Sequence, residues 1–224
     1  MTNVAWSVVD AYIEAHLFGA DDTDDALANA LDANEEAGLP PIDVSATQGK
    51  MLHLFARMVG AKRILEVGTL GGYSTIWLAR ALSDGGRLVT LELDPHHAEV
   101  ARANIARAGF ADRVDIRVGP AIAPLDAMIA AGEAPFDLIF IDADKPSNVA
   151  YLRAALALSR PGTTIVVDNV VREGGILDTS GTDDRIEGSR RLFEAVAAEP
   201  RLAATAVQTV GAKKWDGFLL AVVQ

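Results

Sequence analysis

From Arg63 onward the chain alternates short apolar runs with stretches long enough to be helices. The runs are Arg63 to Val67, Arg87 to Leu93, Val114 to Val118, Phe136 to Ile141 and Thr163 to Val167, followed by Ala204 to Thr209 and Gly217 to Val223. Between the first five lie Ser74 to Leu82, Pro95 to Ala108, Ile122 to Ala131 and Ser147 to Leu158. Unbroken Val, Ile and Leu in strand-sized runs mark strands buried on both faces, and an intervening helix lets each strand run parallel to the last. The pattern predicts an α/β protein with a doubly wound, mostly parallel seven-stranded sheet. A helix from about Arg185 to Ala198 leads to the last two runs, whose short polar link around Gly211, Lys213, Lys214 and Asp216 is too short for a crossover. Those two strands are therefore predicted to be antiparallel neighbours.

Ahead of the sheet, Asn3 to Gly38 reads as a helical arm, with Val8, Tyr12 and Ala15 and then Leu27, Ala30 and Leu31 near helical spacing, interrupted by acidic residues from Asp21 to Asp25. Pro40-Pro41 stops any helix, because neither residue donates a backbone hydrogen bond. The division predicted is an arm over 1–41 and a domain over 42–224, the latter opening with a helix from Ser45 to Val59 that carries Met51, Leu52 and Phe55 on one face. At roughly 100 to 200 residues per domain, a chain of 224 residues suits this arrangement.

Charge and composition narrow the chemistry. With 20 Lys and Arg against 31 Asp and Glu, the formal net charge is −11, the wrong sign for broad contact with a nucleic-acid backbone. No nucleic-acid partner is expected. The absence of cysteine removes thiolate zinc sites and thiol nucleophiles, so a bound metal would be a hard cation on oxygen ligands. Met1 to Gly19 lacks the charge and apolar pattern of a secretory signal, and no run approaches the roughly 18 apolar residues of a spanning helix. A soluble, cytoplasmic protein with no membrane partner is the expectation.

Three strand ends carry the chemistry. Glu66-Val67-Gly68-Thr69-Leu70-Gly71-Gly72-Tyr73-Ser74 follows the first strand and opens a helix. Glycine there lets backbone approach a ligand, and the carboxyl edge of a parallel sheet is where such folds bind one. The spacing is not the dinucleotide Gly-x-Gly-x-x-Gly, and Glu66 would repel phosphate while attracting a cationic group. Glu92 ends the second strand, where a carboxylate accepts both hydroxyls of a ribose. Glu66 and Glu92 together suggest an adenosine ligand with a positive group and no phosphate. Asp94-Pro95 reads as a helix N-cap with proline in the first turn. His96 and His97, just inside that helix, are expected on its solvated side.

The fourth and fifth strands run into Asp142-Ala143-Asp144-Lys145 and Asp168-Asn169. If these strands are parallel neighbours, Asp142, Asp168 and Asn169 emerge at one edge, three oxygen donors suited to Mg²⁺, Mn²⁺ or Ca²⁺.

With these motifs in place, the sequence resembles the cation-dependent class I O-methyltransferases, the family of catechol and caffeoyl-CoA O-methyltransferases in its bacterial form. The resemblance spans about Ile42 to Val223, through 66 to 74, Leu91 to Asp94, Gly119-Pro120-Ala121, Phe136 to Lys145 and Val167-Asp168-Asn169. It implies a Rossmann-like methyltransferase fold, S-adenosylmethionine as donor, and a small catechol-like or phenolic acceptor. By the same resemblance Gly68 and Ser74 surround the amino-acid part of the donor, Glu92 holds the ribose, Ala121 lies near the adenine, and Ile42 and Val44 line the donor from the preceding helix; Glu66, by its charge, and Asp142 are also expected in the donor site. Asp142, Asp168 and Asn169 match the metal ligands, with Mg²⁺ first among the candidates, and Lys145 matches the general base. Relatives are dimers through the arm, so a homodimer is implied. Many relatives place a tryptophan two or three residues beyond the asparagine; this chain reads Val170-Val171-Arg172-Glu173-Gly174-Gly175 there, in the stretch expected to border the acceptor.

The implied chemistry is consistent with elementary acidity. A phenol has a pKa near 10, so its neutral form dominates at pH 7. Two vicinal hydroxyls chelating a cation shift it toward the phenolate and fix the attacking oxygen. A lysine accepts the proton when burial or a nearby cation disfavours its own charge. The alternatives are a metal-independent methyltransferase, a nicotinamide-dependent dehydrogenase, against which the phosphate-unfriendly loop argues, and a non-catalytic adenosine-binding module.

Overall fold

The computed structural model describes residues 5–19 and 25–224. The acidic positions Asp21, Asp22 and Asp24 lie outside the described residues. The elements run α1 (Trp6–Leu17), α2 (Asp25–Glu36), α3 (Ala46–Met58), β1 (Arg63–Val67), α4 (Tyr73–Ala81), β2 (Arg87–Glu92), α5 (Pro95–Arg107), β3 (Val114–Val118), α6 (Ile122–Ala130) and β4 (Leu138–Ile141). After a 3-10 turn at Lys145–Ser147 come α7 (Asn148–Ala157), β5 (Thr164–Val167), a second 3-10 segment at Arg172–Leu177, α8 (Asp184–Ala197), β6 (Leu202–Gly211) and β7 (Lys214–Val223).

The seven strands form one sheet in the order β3-β2-β1-β4-β5-β7-β6. The first five in that order are mutually parallel, while β7 runs antiparallel to β5, and β6 antiparallel to β7. The predicted doubly wound sheet and its terminal antiparallel pair are both present. The polar link expected over 211 to 216 is shorter than its composition suggests: Gly211 already pairs with Lys214, leaving a two-residue turn, and Trp215 and Asp216 belong to β7.

Strand alternation divides the core into two layers. Ile64, Leu138, Phe140 and Val166 face α3, α4 and α5, packing with Leu52, Ile76, Trp77 and Ile105. Their sequence neighbours Leu65, Ile139, Ile141, Ile165 and Val167 face the other way, against Leu125, Leu152 and Leu192 of α6, α7 and α8. With both faces covered, a central strand needs apolar side chains at every position, which is why Leu138–Ile141 is fully buried throughout. Burial of each such side chain contributes about 1.5–3 kcal/mol.

Helices α1 and α2 are fastened to this core by buried apolar contacts and by hydrogen bonds. Leu27 and Ala30 of α2 are buried in the α3–α5 layer, and Asn104 of α5 donates to Asn34 Oδ1 at 3.1 Å and to the Gly71 carbonyl at 2.9 Å. Asp10 of α1 accepts from the Ala212 N–H at 2.7 Å, tying α1 to the β6–β7 turn. Among the described residues, no helix is long and apolar enough to cross a membrane.

Candidate active site

The strand order reverses between β1 and β4, and a crevice opens there at the carboxyl ends of the parallel strands, the usual ligand position in such sheets. It holds a cavity of about 650 Å³ bordered by Gly68, Ser74, Glu92, Ala121, Asp142 and Lys145, with Ile42 and Val44 entering from the segment before α3. Residues far apart in sequence, chosen on motif grounds, therefore meet around one space.

Gly68 explains why the first loop is glycine-rich. Its φ is +98°, and a β-carbon added there would stand 2.2 Å from the Asp142 carbonyl oxygen. Neither the backbone shape nor the approach of β1 to β4 admits a side chain. The turn beyond it is pinned by Glu92, whose Oε2 accepts from the N–H groups of Thr69 (3.0 Å) and Leu70 (2.8 Å), while Oε1 accepts from the Asp94 N–H (3.0 Å). Glu92 thus holds the loop as well as bordering the cavity. Asp94 caps α5 through the His96 N–H at 2.8 Å, as its sequence predicts.

Glu66 departs from expectation. The sequence places its carboxylate toward a cationic ligand group; in the structure it is fully buried and outside the cavity wall. Its Oε1 accepts from the Ser74 hydroxyl at 2.6 Å, and its Oε2 from Thr75 at 2.5 Å and Thr90 at 2.7 Å. Burial pushes the carboxyl up to about 7, against the pull of these three donors. Glu66 acts behind Ser74, orienting the hydroxyl that does reach the cavity.

The two aspartates emerge side by side because β4 and β5 are paired in register. Ile141 lies opposite Val167, and the Asp168 N–H donates to the Ile141 carbonyl at 3.0 Å. Asp142 borders the cavity; Asp168 faces a smaller hollow of about 220 Å³ beside Gln48; Asn169 lines both. Asn169 takes φ +53°, a left-handed turn asparagine tolerates better than most residues. Lys145 Nζ lies 2.8 Å from Asp142 Oδ1 and is buried. The Asp168 carboxyl is raised by burial and by the Asp142 charge, with Lys145 opposing. Among the described residues no three His, Cys, Asp or Glu side chains cluster as a metal site. The predicted donor set is two carboxylates and an amide, and its chemistry fits a hard divalent cation.

One residue lies nearer the cavity than its sequence position predicts. His97, expected on the solvated side of its helix, borders the cavity with Nδ1 3.4 Å from Glu92 Oε1. Its position three residues after the capping Asp94, where α5 starts at the carboxyl edge of β2, is the signal that places it there. His96 instead meets the Ala37 carbonyl at 3.0 Å.

A doubly wound sheet with a glycine cradle, a ribose-suited carboxylate and no phosphate loop defines a nucleoside-binding α/β protein of the methyltransferase type. The O-methyltransferase family matches residues 20–222. The catechol O-methyltransferase of Mycobacterium tuberculosis is 55% identical over 96% of this chain and 95% of its own length. That of Niastella koreensis is 51% identical over the whole of both chains. An O-methyltransferase from Bacillus cereus, solved in complex with SAH, superposes with a TM-score of 0.95 at 54% identity, covering 98% of each chain. The chain belongs to the O-methyltransferase family and is an S-adenosylmethionine-dependent O-methyltransferase.

Proposed function

We propose that the acceptor is a small catechol-like or phenolic hydroxyl compound and that transfer depends on a divalent cation, Mg²⁺ foremost, held by Asp142, Asp168 and Asn169. The observation that carries this reading is the juxtaposition of Asp142 and Asp168 on paired strand ends, with the Asp168 carboxyl raised by burial and, after it, by its neighbour's charge. A cation held by these residues would offset the repulsion between the two carboxylates, and the names of the two catechol O-methyltransferases above support the acceptor class.

In this reading each residue has a separate task. Gly68 gives backbone access to the amino-acid end of the donor, and Ser74, aimed by Glu66, hydrogen-bonds that end. Glu92 receives the ribose hydroxyls, while Ala121, Ile42 and Val44 give the adenosine an apolar wall and exclude water. A cation on the three oxygens would favour the phenolate of a vicinal diol and orient it. Lys145 Nζ, fixed by Asp142, is the group at which the acceptor's proton is taken up or the phenolate charge is balanced. The apolar face of α1, with Trp6, Val8 and Tyr12 exposed, supports a homodimer through the arm; a monomeric mass by light scattering removes that element.

The test is incubation of the purified protein with S-adenosylmethionine and catechol, with Mg²⁺ and then with excess EDTA, following methylated catechol by mass spectrometry. Product that disappears on chelation is the expected result. Product undiminished by EDTA would replace the reading with metal-independent transfer.

A further inference from the structure

We propose that Arg172 reads a carboxylate on the acceptor, so that the natural acceptor is a catechol-type acid and not a neutral catechol. This rests on the methyl-transfer reading above and narrows its substrate class.

Most charged side chains bordering the main cavity already have a partner. Lys145 is on Asp142 at 2.8 Å, Arg185 is on Asp183 at 3.0 Å, and His97 lies 3.4 Å from Glu92. Of the acids, Glu92 accepts three backbone N–H groups, Asp43 accepts from Asn34 at 2.9 Å, and Asp144 accepts from the Tyr151 hydroxyl. Arg172 is the exception. Its guanidinium has no hydrogen bond or ion pair among the described residues, although the residue is half-buried and lines the cavity. A partly desolvated cation with five unused donors favours an anion.

The backbone around Arg172 is held in an unusual shape. Arg172 and Glu173 take φ of +56° and +53° in succession, a conformation that non-glycine residues adopt only when their surroundings impose it. The constraint comes from Asp216 at the start of β7. Its Oδ1 accepts from the N–H groups of Val171 (3.0 Å), Arg172 (2.9 Å) and Gly217 (2.9 Å), and the Val170 N–H adds a bond to the Gly217 carbonyl at 3.0 Å.

Location decides between donor and acceptor. Gly68 and Glu92, the donor residues in this reading, lie at the ends of β1 and β2, whereas Arg172 follows β5 by way of Asn169. At about 4.8 Å per strand, β5 lies roughly 10 Å from β1. Arg172 therefore enters the cavity from the β5 end, with β4 and its Asp142 between it and the donor residues of β1 and β2. Its planar fork matches a carboxylate in two parallel hydrogen bonds.

The experiment compares 3,4-dihydroxybenzoate with its methyl ester, using the full chain with saturating S-adenosylmethionine and Mg²⁺. The readout is the ratio of kcat/KM for acid over ester, so intrinsic differences in phenol reactivity cancel between proteins. Arg172→Gln is expected to lower that ratio about tenfold or more, chiefly through KM for the acid, as loss of a charge-assisted pair implies. Arg172→Lys, which keeps charge without the fork, should fall between. A ratio equal in wild type and Arg172→Gln, with the ester methylated, overturns the assignment and leaves the methyl-transfer reading standing. Methylation of neither compound by the wild type sinks both. Calorimetric titration with S-adenosylmethionine should give similar affinities for wild type and Arg172→Gln; a tenfold loss would assign the charge to the donor and also overturn the proposal.

Discussion

The backbone of Gly188 in α8 lies so close to Lys145 that a β-carbon on the glycine would stand 2.1 Å from the lysine carbonyl oxygen. The helix therefore sets where the 3-10 turn carrying Lys145 can sit, and through it the 2.8 Å pairing of Nζ with Asp142. Gly188→Ala must push the two segments apart, since the contact is backbone against β-carbon and no flexible side chain can yield. Overpacking of this kind costs about 1–3 kcal/mol of stability, and a shift approaching 1 Å at a positioned group costs on the order of a hundredfold in rate. The expected outcome is a large fall in kcat, read by steady-state kinetics, with affinity for S-adenosylmethionine largely kept.

Glu66 makes stability depend on pH in a defined direction. Its folded value of about 7 lies above the ordinary 4.5, so between these limits the folded state binds the proton more tightly than the unfolded state. The stabilisation is full below the unfolded value and is lost as pH rises through the folded one, on the order of 3 kcal/mol across the window. Glu66→Gln does not titrate. The fall in melting temperature between pH 5 and pH 7.5 should be shallower in the variant than in the wild type; parallel profiles would contradict the assignment.

Glu92 joins loop geometry to ligand binding. One of its oxygens serves two backbone N–H groups of the glycine loop and the other serves Asp94. An amide at this position accepts on one atom only, so Glu92→Gln leaves at least one of these N–H groups without its acceptor. Loss of a hydrogen bond to a charged group costs about 1.5–3 kcal/mol, so S-adenosylmethionine should bind at least tenfold more weakly, measured by isothermal titration calorimetry.

Much of this arrangement is legible in the sequence because the physics behind it is local or periodic. Leu138–Ile141 and Thr164–Val167 read as strands since a strand covered on both faces must be apolar throughout. Once those strands are parallel neighbours, the meeting of Asp142 and Asp168 follows from register. The outer strand β6 runs from Leu202 to Gly211 but shows its sequence pattern only over Ala204 to Thr209, because most of its side chains face solvent. The inward turn of Glu66 depends on Thr75 and Thr90, hydroxyls brought to it by a helix and a neighbouring strand, and no motif at Glu66 itself carries that information. Asp216 holding the Val171 and Arg172 amides is a contact across 45 and 44 positions; sequence alone places it in the link between the last two strands without showing what it holds.

The proposed role of Asp142, Asp168 and Asn169 is to hold a divalent cation. It is tested most directly by titrating Mn²⁺ into metal-stripped protein with S-adenosylmethionine present, and following free Mn²⁺ by its electron paramagnetic resonance signal. The account predicts one site per chain in the wild type and loss of that site in Asp168→Ala, while the variant still binds S-adenosylmethionine. Absence of binding by the wild type, or a site that survives Asp168→Ala unchanged, would contradict it.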